Sequence, residues 1–274
     1  MSFRDHFSSH SSSYSEFRPG YPKDLFYYLK SLVPNGKVAW DCGTGTGQAA
    51  ASLGEFFEKV IASDPSENQI TNAEPRQNVE YRVCKAENST LENYEIDLIT
   101  VAQAFHWFDF EPFYKEVIRV GKKKGILAIW GYGLHSISSE IDRLVDKLYI
   151  EIVGSYWPPE RKYVEEKYKN IPFPFEEIIP PSFSMKEEWN IDQLLGYLRT
   201  WSSVQKYIQK NESDPVLLIE EDIRNSWGPV QTKTVEWPLF LKSGDFQVDS
   251  FIWRNDSFLV PVRLVQFWRS CRTN

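Results

Sequence analysis

The sequence predicts an α/β fold: a doubly wound, mostly parallel sheet with helical insertions that cover a substrate. Three observations predict it. Short apolar runs alternate with amphipathic segments through residues 38–130. A turn rich in glycine, Gly43-Thr44-Gly45-Thr46-Gly47, follows the first run and opens a helix. The first two runs each end on a carboxylate, Asp41 and Asp64.

The elements follow in order. A helix begins after Pro22 with Leu25, Phe26, Tyr28, Leu29 and Leu32 on one face, and Pro34-Asn35-Gly36 stops it. Residues 38–40 form a strand, 47–57 a helix, 59–63 a second strand, 68–74 a helix and 79–84 a third strand. Residues 96–102 are apolar on both faces, as a buried parallel strand requires. Residues 110–120 read as a helix, 121–125 as a turn and 126–130 as a fifth strand. The second half changes character. Residues 136–152 place Ile137, Ile141, Leu144 and Leu148 at helical spacing. Residues 176–189 look extended, 191–209 and 215–227 helical, and 232–242 alternate like a last strand.

The chain has 274 residues, within the range of a single α/β domain. The expected domain covers residues 1–245, with cover segments at 134–170 and 190–228. A C-terminal extension of undetermined structure, 246–274, carries four Arg against two Asp. The net charge of −7 is a poor match for a polyphosphate partner, and a nucleic acid is not expected. The three cysteines are odd in number and lack metal-ligand spacing; with four histidines they suggest no metal site. No apolar run is long enough for a membrane span, and no secretory leader is visible, so a cytoplasmic protein is expected. The oligomeric state is not readable.

Two adenosine cofactors use a glycine loop between a strand and a helix: dinucleotides and S-adenosylmethionine. The dinucleotide fingerprint is strained here, because Gln48 stands where the third glycine counted from Gly43 belongs. Asp41 beside the loop would repel a pyrophosphate but suits an ammonium group. Gly43, Gly45 and Gly47 let the backbone pass close beneath a ligand, with Thr44 among them. Asp64 is placed to accept ribose hydroxyls, which both cofactors share, and Pro65 and Ser66 follow it. The alternative for Asp64 is a helix N-cap.

The sequence resembles the small-molecule branch of class I S-adenosylmethionine-dependent methyltransferases that includes trans-aconitate and cantharidin methyltransferase-like proteins. Four segments carry the likeness: Tyr14 with Phe17-Arg18-Pro19-Gly20-Tyr21-Pro22; residues 40–48; Ala86-Glu87; and residues 98–109, with Gln103-Ala104-Phe105-His106-Trp107-Phe108-Asp109 the most specific. The resemblance implies a seven-stranded, Rossmann-like sheet whose last strand is antiparallel. It implies S-adenosyl-L-methionine as cofactor, with Ala86 and Glu87 near adenine, Asp64 on ribose, Asp41 and the loop by the methionine part, and Gln103 beside it.

A small-molecule methyl acceptor is expected, with an organic-acid carboxylate as the accepting group. Tyr14, Arg18, Tyr21, Trp107, Trp130 and Arg199 are the expected substrate contacts, the arginines for bidentate pairing with a carboxylate. His106 is the expected general base where the acceptor needs one; packing under the next helix is its alternative role. Two other readings stand beside this one: a protein that binds the cofactor without catalysis, and a nicotinamide oxidoreductase.

Overall fold

The structure is a computed structural model that describes residues 19–246 and two short strands, 251–253 and 259–261. Tyr14 and Arg18 lie outside the described residues. The strands in chain order are β1 (Val38–Cys42), β2 (Lys59–Asp64), β3 (Val79–Val83), β4 (Ile96–Ala102), β5 (Gly121–Tyr132), β6 (Glu176–Ile178), β7 (Phe183–Trp189) and β8 (Lys233–Asp245). They pair in the order β3-β2-β1-β4-β5-β8-β6, with β7 also on β8. Strands β1 to β5 pair in parallel, whereas β6 and β7 run antiparallel to β8. β9 (Phe251–Trp253) and β10 (Leu259–Pro261) form a separate antiparallel pair.

The sheet holds eight strands rather than the seven expected. The extended stretch 176–189 is interrupted at Ile179-Pro180-Pro181-Ser182, and its halves pair with different parts of the long β8. Proline cannot donate to a strand ladder, which explains the break.

The turn expected at 121–125 is a second correction. β5 begins at Gly121 and runs through the lysines without a break. Its register against β4 shifts between Ile96 and Leu98, and Lys124 takes a φ of +63°. A side chain at Gly121 or Gly125 would collide with the Phe246 ring. These glycines therefore serve close packing and a bulge, not a turn.

The chain divides into two compact units. The sheet unit comprises Lys23–Gly131, Tyr168–Pro181 and, among the described residues, the chain from Phe240 to Phe246. Its helices are α1 (Lys23–Leu32), α2 (Gln48–Leu53), α3 (Glu67–Thr71) and α4 (Phe110–Val120). Leu25, Phe26 and Leu29 of α1 are buried, as the helical spacing predicts. In β4 only Asp97 and Ala102 are less than fully buried, as two-sided cover requires.

The helical unit comprises Tyr132–Lys167 and Ser182–Leu239, with residues 19–22. It holds α5 (Ser139–Asp146), α6 (Arg161–Glu165), α7 (Ile191–Arg199), α8 (Ser202–Asn211) and α9 (Leu217–Trp227). The helix expected over 136–152 is α-helical only to Asp146 and continues as a π-helical turn over Lys147–Ile152. The helix expected over 191–209 is two helices. Asn190 and Gln193 form a capping box at the start of α7, and Trp201, extended at φ −63° and ψ 134°, separates it from α8. Trp201 joins a core with Tyr149, Trp189, Tyr197, Trp227 and Trp237.

Candidate active site

The expected cofactor residues gather at the C-terminal ends of β1, β2 and β4, the edge where open α/β sheets bind ligands. Asp41 is fully buried in β1. Its carboxylate accepts the hydroxyl of Thr44 at 2.5 Å and that of Thr100 at 2.7 Å. Burial raises its pKa to about 6, against the hydrogen bonds from Thr44 and Thr100 that lower it. Asp41 thus organises the loop from beneath, each of its two oxygens accepting one hydroxyl.

The three loop glycines all have positive φ, +70° at Gly43, +57° at Gly45 and +89° at Gly47. They do different work. A Cβ at Gly43 would sit 2.7 Å from that of Ala104, with the Phe108 ring behind it. One at Gly47 would sit 2.5 Å from the Tyr81 hydroxyl. At Gly45 the nearest atom is Gln69 Oε1, 3.9 Å away. Gly43 and Gly47 are closed by the protein; Gly45 is the open one. Its N–H donates to Asp64 Oδ2 at 3.0 Å, while Asp64 Oδ1 accepts from the Ser66 N–H at 2.9 Å.

Asp64 is half-buried and is not the N-cap of α3; that role falls to Ser66, whose hydroxyl accepts from Gln69 N–H. The Asp64 carboxylate thus stands at the open edge of the loop, held there by the Gly45 and Ser66 amides. Pro65 lies between Asp64 and Ser66, half-buried. The open face at Gly45 beside this carboxylate fits an adenosyl cofactor: backbone can approach closely there, and ribose hydroxyls have an acceptor.

Ala86 is buried just past β3, and Glu87 accepts the Asp109 N–H at 2.9 Å, tying this loop to the one after β4. Gln103 follows β4 with φ +54°, a conformation uncommon outside glycine. Its N–H donates to Trp130 O, and its Oε1 lies 2.6 Å from where a Cβ at Gly131 would be. His106 occupies a 3-10 turn, Phe105–Trp107, and is buried. Its Nδ1 is hydrogen-bonded to the Tyr168 hydroxyl at 2.9 Å. The Trp107 and Tyr168 rings lie 4.8 Å and 6.1 Å from the imidazole, and Phe105 packs edge-on against Tyr168.

The chain is similar to several known proteins. A family model described as a methyltransferase domain matches residues 40–129. A putative methyltransferase of Dictyostelium discoideum is 38% identical over 247 residues, which span 87% of this chain and 94% of that protein. The chain belongs to the S-adenosylmethionine-dependent methyltransferases. The solved structure of a putative type II methyltransferase from Anaeromyxobacter dehalogenans agrees with this methyltransferase at 41% identity and a TM-score of 0.79, covering 83% of this chain and 97% of that one. A probable S-adenosylmethionine-dependent methyltransferase of Saccharomyces cerevisiae is 30% identical over 132 residues, 44% of this chain and 45% of its own length. The cofactor of this methyltransferase is S-adenosylmethionine, and the oxidoreductase reading of the glycine loop is set aside.

Two expected substrate contacts are corrected. Arg199 donates from Nε to Asp214 at 2.7 Å and from Nη2 to Glu220 at 2.8 Å, so its guanidinium closes an ion-pair network inside the helical unit. Trp130 is fully buried in β5 and meets the Phe26 ring edge-on, in the core of the sheet unit. Trp107 is half-buried beside His106. Tyr21 packs against the aromatic core of the helical unit.

Several contributors escaped sequence reasoning. Thr100, Tyr81, Phe108, Gln69 and Tyr168 all help shape the site. Thr100 alone left a signal, as the one hydroxyl in the apolar run of β4.

Proposed function

We propose that this methyltransferase acts on a small molecule, as a member of the trans-aconitate and cantharidin methyltransferase-like branch. One observation carries the reading: the helical unit is built around aromatic side chains, and several of its cations pair with carboxylates within it. Arg199 pairs with Asp214 and Glu220, Arg224 with Asp192 and Glu220, and Lys186 with Glu236. Arg161 lies over the Trp157 ring at 4.7 Å and donates from Nε to the Tyr149 hydroxyl. Such a unit suits a compact, partly apolar ligand better than a phosphate backbone.

The bound cofactor supplies a sulfonium methyl group for in-line displacement. The chain's residues orient and protect that step. Gly45 and Asp64 hold the adenosine part, with Ala86 and Glu87 on the adenine side. Asp41, Thr44 and Thr100 fix the loop beside the methionine part. For an acceptor that must lose a proton, His106 takes it at Nε2 in the tautomer whose Nδ1–H donates to the Tyr168 hydroxyl.

The organic-acid version loses Arg199 and rests on Arg161, whose stacked guanidinium is the arrangement that favours a planar carboxylate. The test is turnover of the full chain with S-adenosylmethionine against neutral hydroxyl compounds, small carboxylic acids, tRNA and protein. Methylation confined to small molecules supports the proposal. Methylation confined to a macromolecule overturns it.

A further inference from the structure

The connection from β3 to β4, residues 84–95, contains no helix, unlike the other crossovers between β1 and β5. Its backbone polar groups must therefore find partners elsewhere. Several find them on the last turns of α4. Glu116 is buried there, and among the described residues Asp41 is the only other buried carboxylate. Glu116 Oε1 accepts the Ser89 N–H at 2.8 Å and the Ser89 hydroxyl at 2.5 Å. Arg119 grips the same carboxylate with two nitrogens: Nε donates to Oε2 at 2.8 Å and Nη2 to Oε1 at 2.7 Å. Its Nη1 donates to Leu91 O at 2.9 Å and to Asn93 Oδ1 at 2.7 Å. The Arg119 carbonyl accepts the Tyr94 N–H at 3.1 Å.

The start of α4 holds the same connection further back. Asp109, the residue before α4, donates its N–H to Glu87 Oε1 at 2.9 Å. The helix therefore lies along the connection as a splint, tied at Glu87 near its start and at residues 89–94 near its end. A buried ion pair is weak evidence for stability, because apolar side chains of similar volume often serve as well or better. Apolar side chains cannot fix a backbone by hydrogen bonds, however. Here the carboxylate binds the Ser89 N–H and the guanidinium binds the Leu91 carbonyl, both on the backbone of the connection.

We infer that Glu116 and Arg119 are positioning residues for the cofactor: acting through Ser89 and the backbone beside it, they hold Ala86 and Glu87 ready for the adenine part. A loop ordered in advance binds without paying an ordering cost at the moment of binding. With the clamp weakened, the same contacts form, but the loop must be ordered by the cofactor itself. The loss therefore falls on cofactor affinity and not on the methyl-transfer step, which starts from a loop already ordered. The inference rests on the reading that places Ala86 and Glu87 on the adenine side.

The experiment compares the full chain with Ser89→Ala and Arg119→Lys. The first removes the hydroxyl and leaves the amide in place; the second keeps the charge and loses the guanidinium fork. Both are mild enough to fold, and binding is measured well below the Tm of each. Each should raise the Kd for S-adenosylhomocysteine about tenfold. Glu116→Gln, which keeps an acceptor for Ser89, should lose less affinity than Glu116→Ala. On any acceptor that the panel above identifies, the KM for S-adenosylmethionine should rise with the Kd, and kcat at saturating cofactor should not change. Hydrogen exchange of the amides of residues 85–93 gives a readout apart from activity. S-adenosylhomocysteine should slow it in the wild type, and both variants should speed it in the free protein. A merely structural clamp would lower the Tm and leave Kd and KM alone. That result, with residues 85–93 still protected by the cofactor in the wild type, overturns the inference and spares the adenine-side reading. Wild-type amides 85–93 indifferent to S-adenosylhomocysteine would sink the adenine-side reading and the inference with it.

Discussion

Asp41 in the sheet unit and His135 in the helical unit are both buried ionisable side chains, and they differ in what surrounds them. Asp41 accepts two hydroxyls, while His135 has no partner among the described residues. A satisfied buried group fixes the backbone around it; an unsatisfied one carries a desolvation cost. The comparison sets a carboxylate held by two hydroxyls against an imidazole with no hydrogen-bond partner among the described residues.

The severest way to break the comparison is to disturb the scaffold. Gly43→Ala adds a Cβ 2.7 Å from Ala104 at φ +70°. It should cost about 2–4 kcal/mol of stability in urea titrations. Gly47→Ala meets the Tyr81 hydroxyl instead. Adding Tyr81→Phe should recover part of its loss, a non-additivity that a double-mutant cycle would detect. Additive losses would mean that the clash is not the cause.

The pH dependence separates the two groups because their shifts have opposite signs. His135 is held near 3 when folded, against 6.5. The unfolded chain binds more protons between those values, so its contribution is full above about pH 6.5 and lost as pH falls toward 3. Asp41 is raised from 3.8 to about 6, so its contribution is full below about pH 4 and lost as pH rises through 6. His135→Phe should therefore gain on the wild type by about 1.4 kcal/mol for each pH unit below 6. Urea melts at pH 6 and pH 5 would show it, and parallel profiles would contradict it.

Arg199→Ala sharpens the comparison at the smallest scale. It should lower stability by about 1–2 kcal/mol through loss of the Asp214 and Glu220 pairs, and leave acceptor KM unchanged. A large rise in KM would return Arg199 to the substrate.

Much of the sheet unit was legible because its signals are local. β4 and α4 match their expected bounds residue for residue, since apolar runs and helical spacing lie within each segment. The glycine loop and Asp64 also stand together in the chain. What sequence concealed depends on distant partners. Gly121 and Gly125 look like turn residues until Phe246 arrives against them from far along the chain. Arg199 looks like a substrate arginine until Asp214 and Glu220 claim it. His106 meets Tyr168, and His135 enters an aromatic core, through folding that no spacing announces. Packing of side chains remote in sequence decides each of these roles.

The most direct test is calorimetric titration of S-adenosylhomocysteine into the wild type, Asp64→Ala and His135→Phe. Binding by the wild type, its loss in Asp64→Ala and its retention in His135→Phe would support a cofactor edge at Gly45 and Asp64 to which His135 does not contribute. Full binding by Asp64→Ala would contradict it.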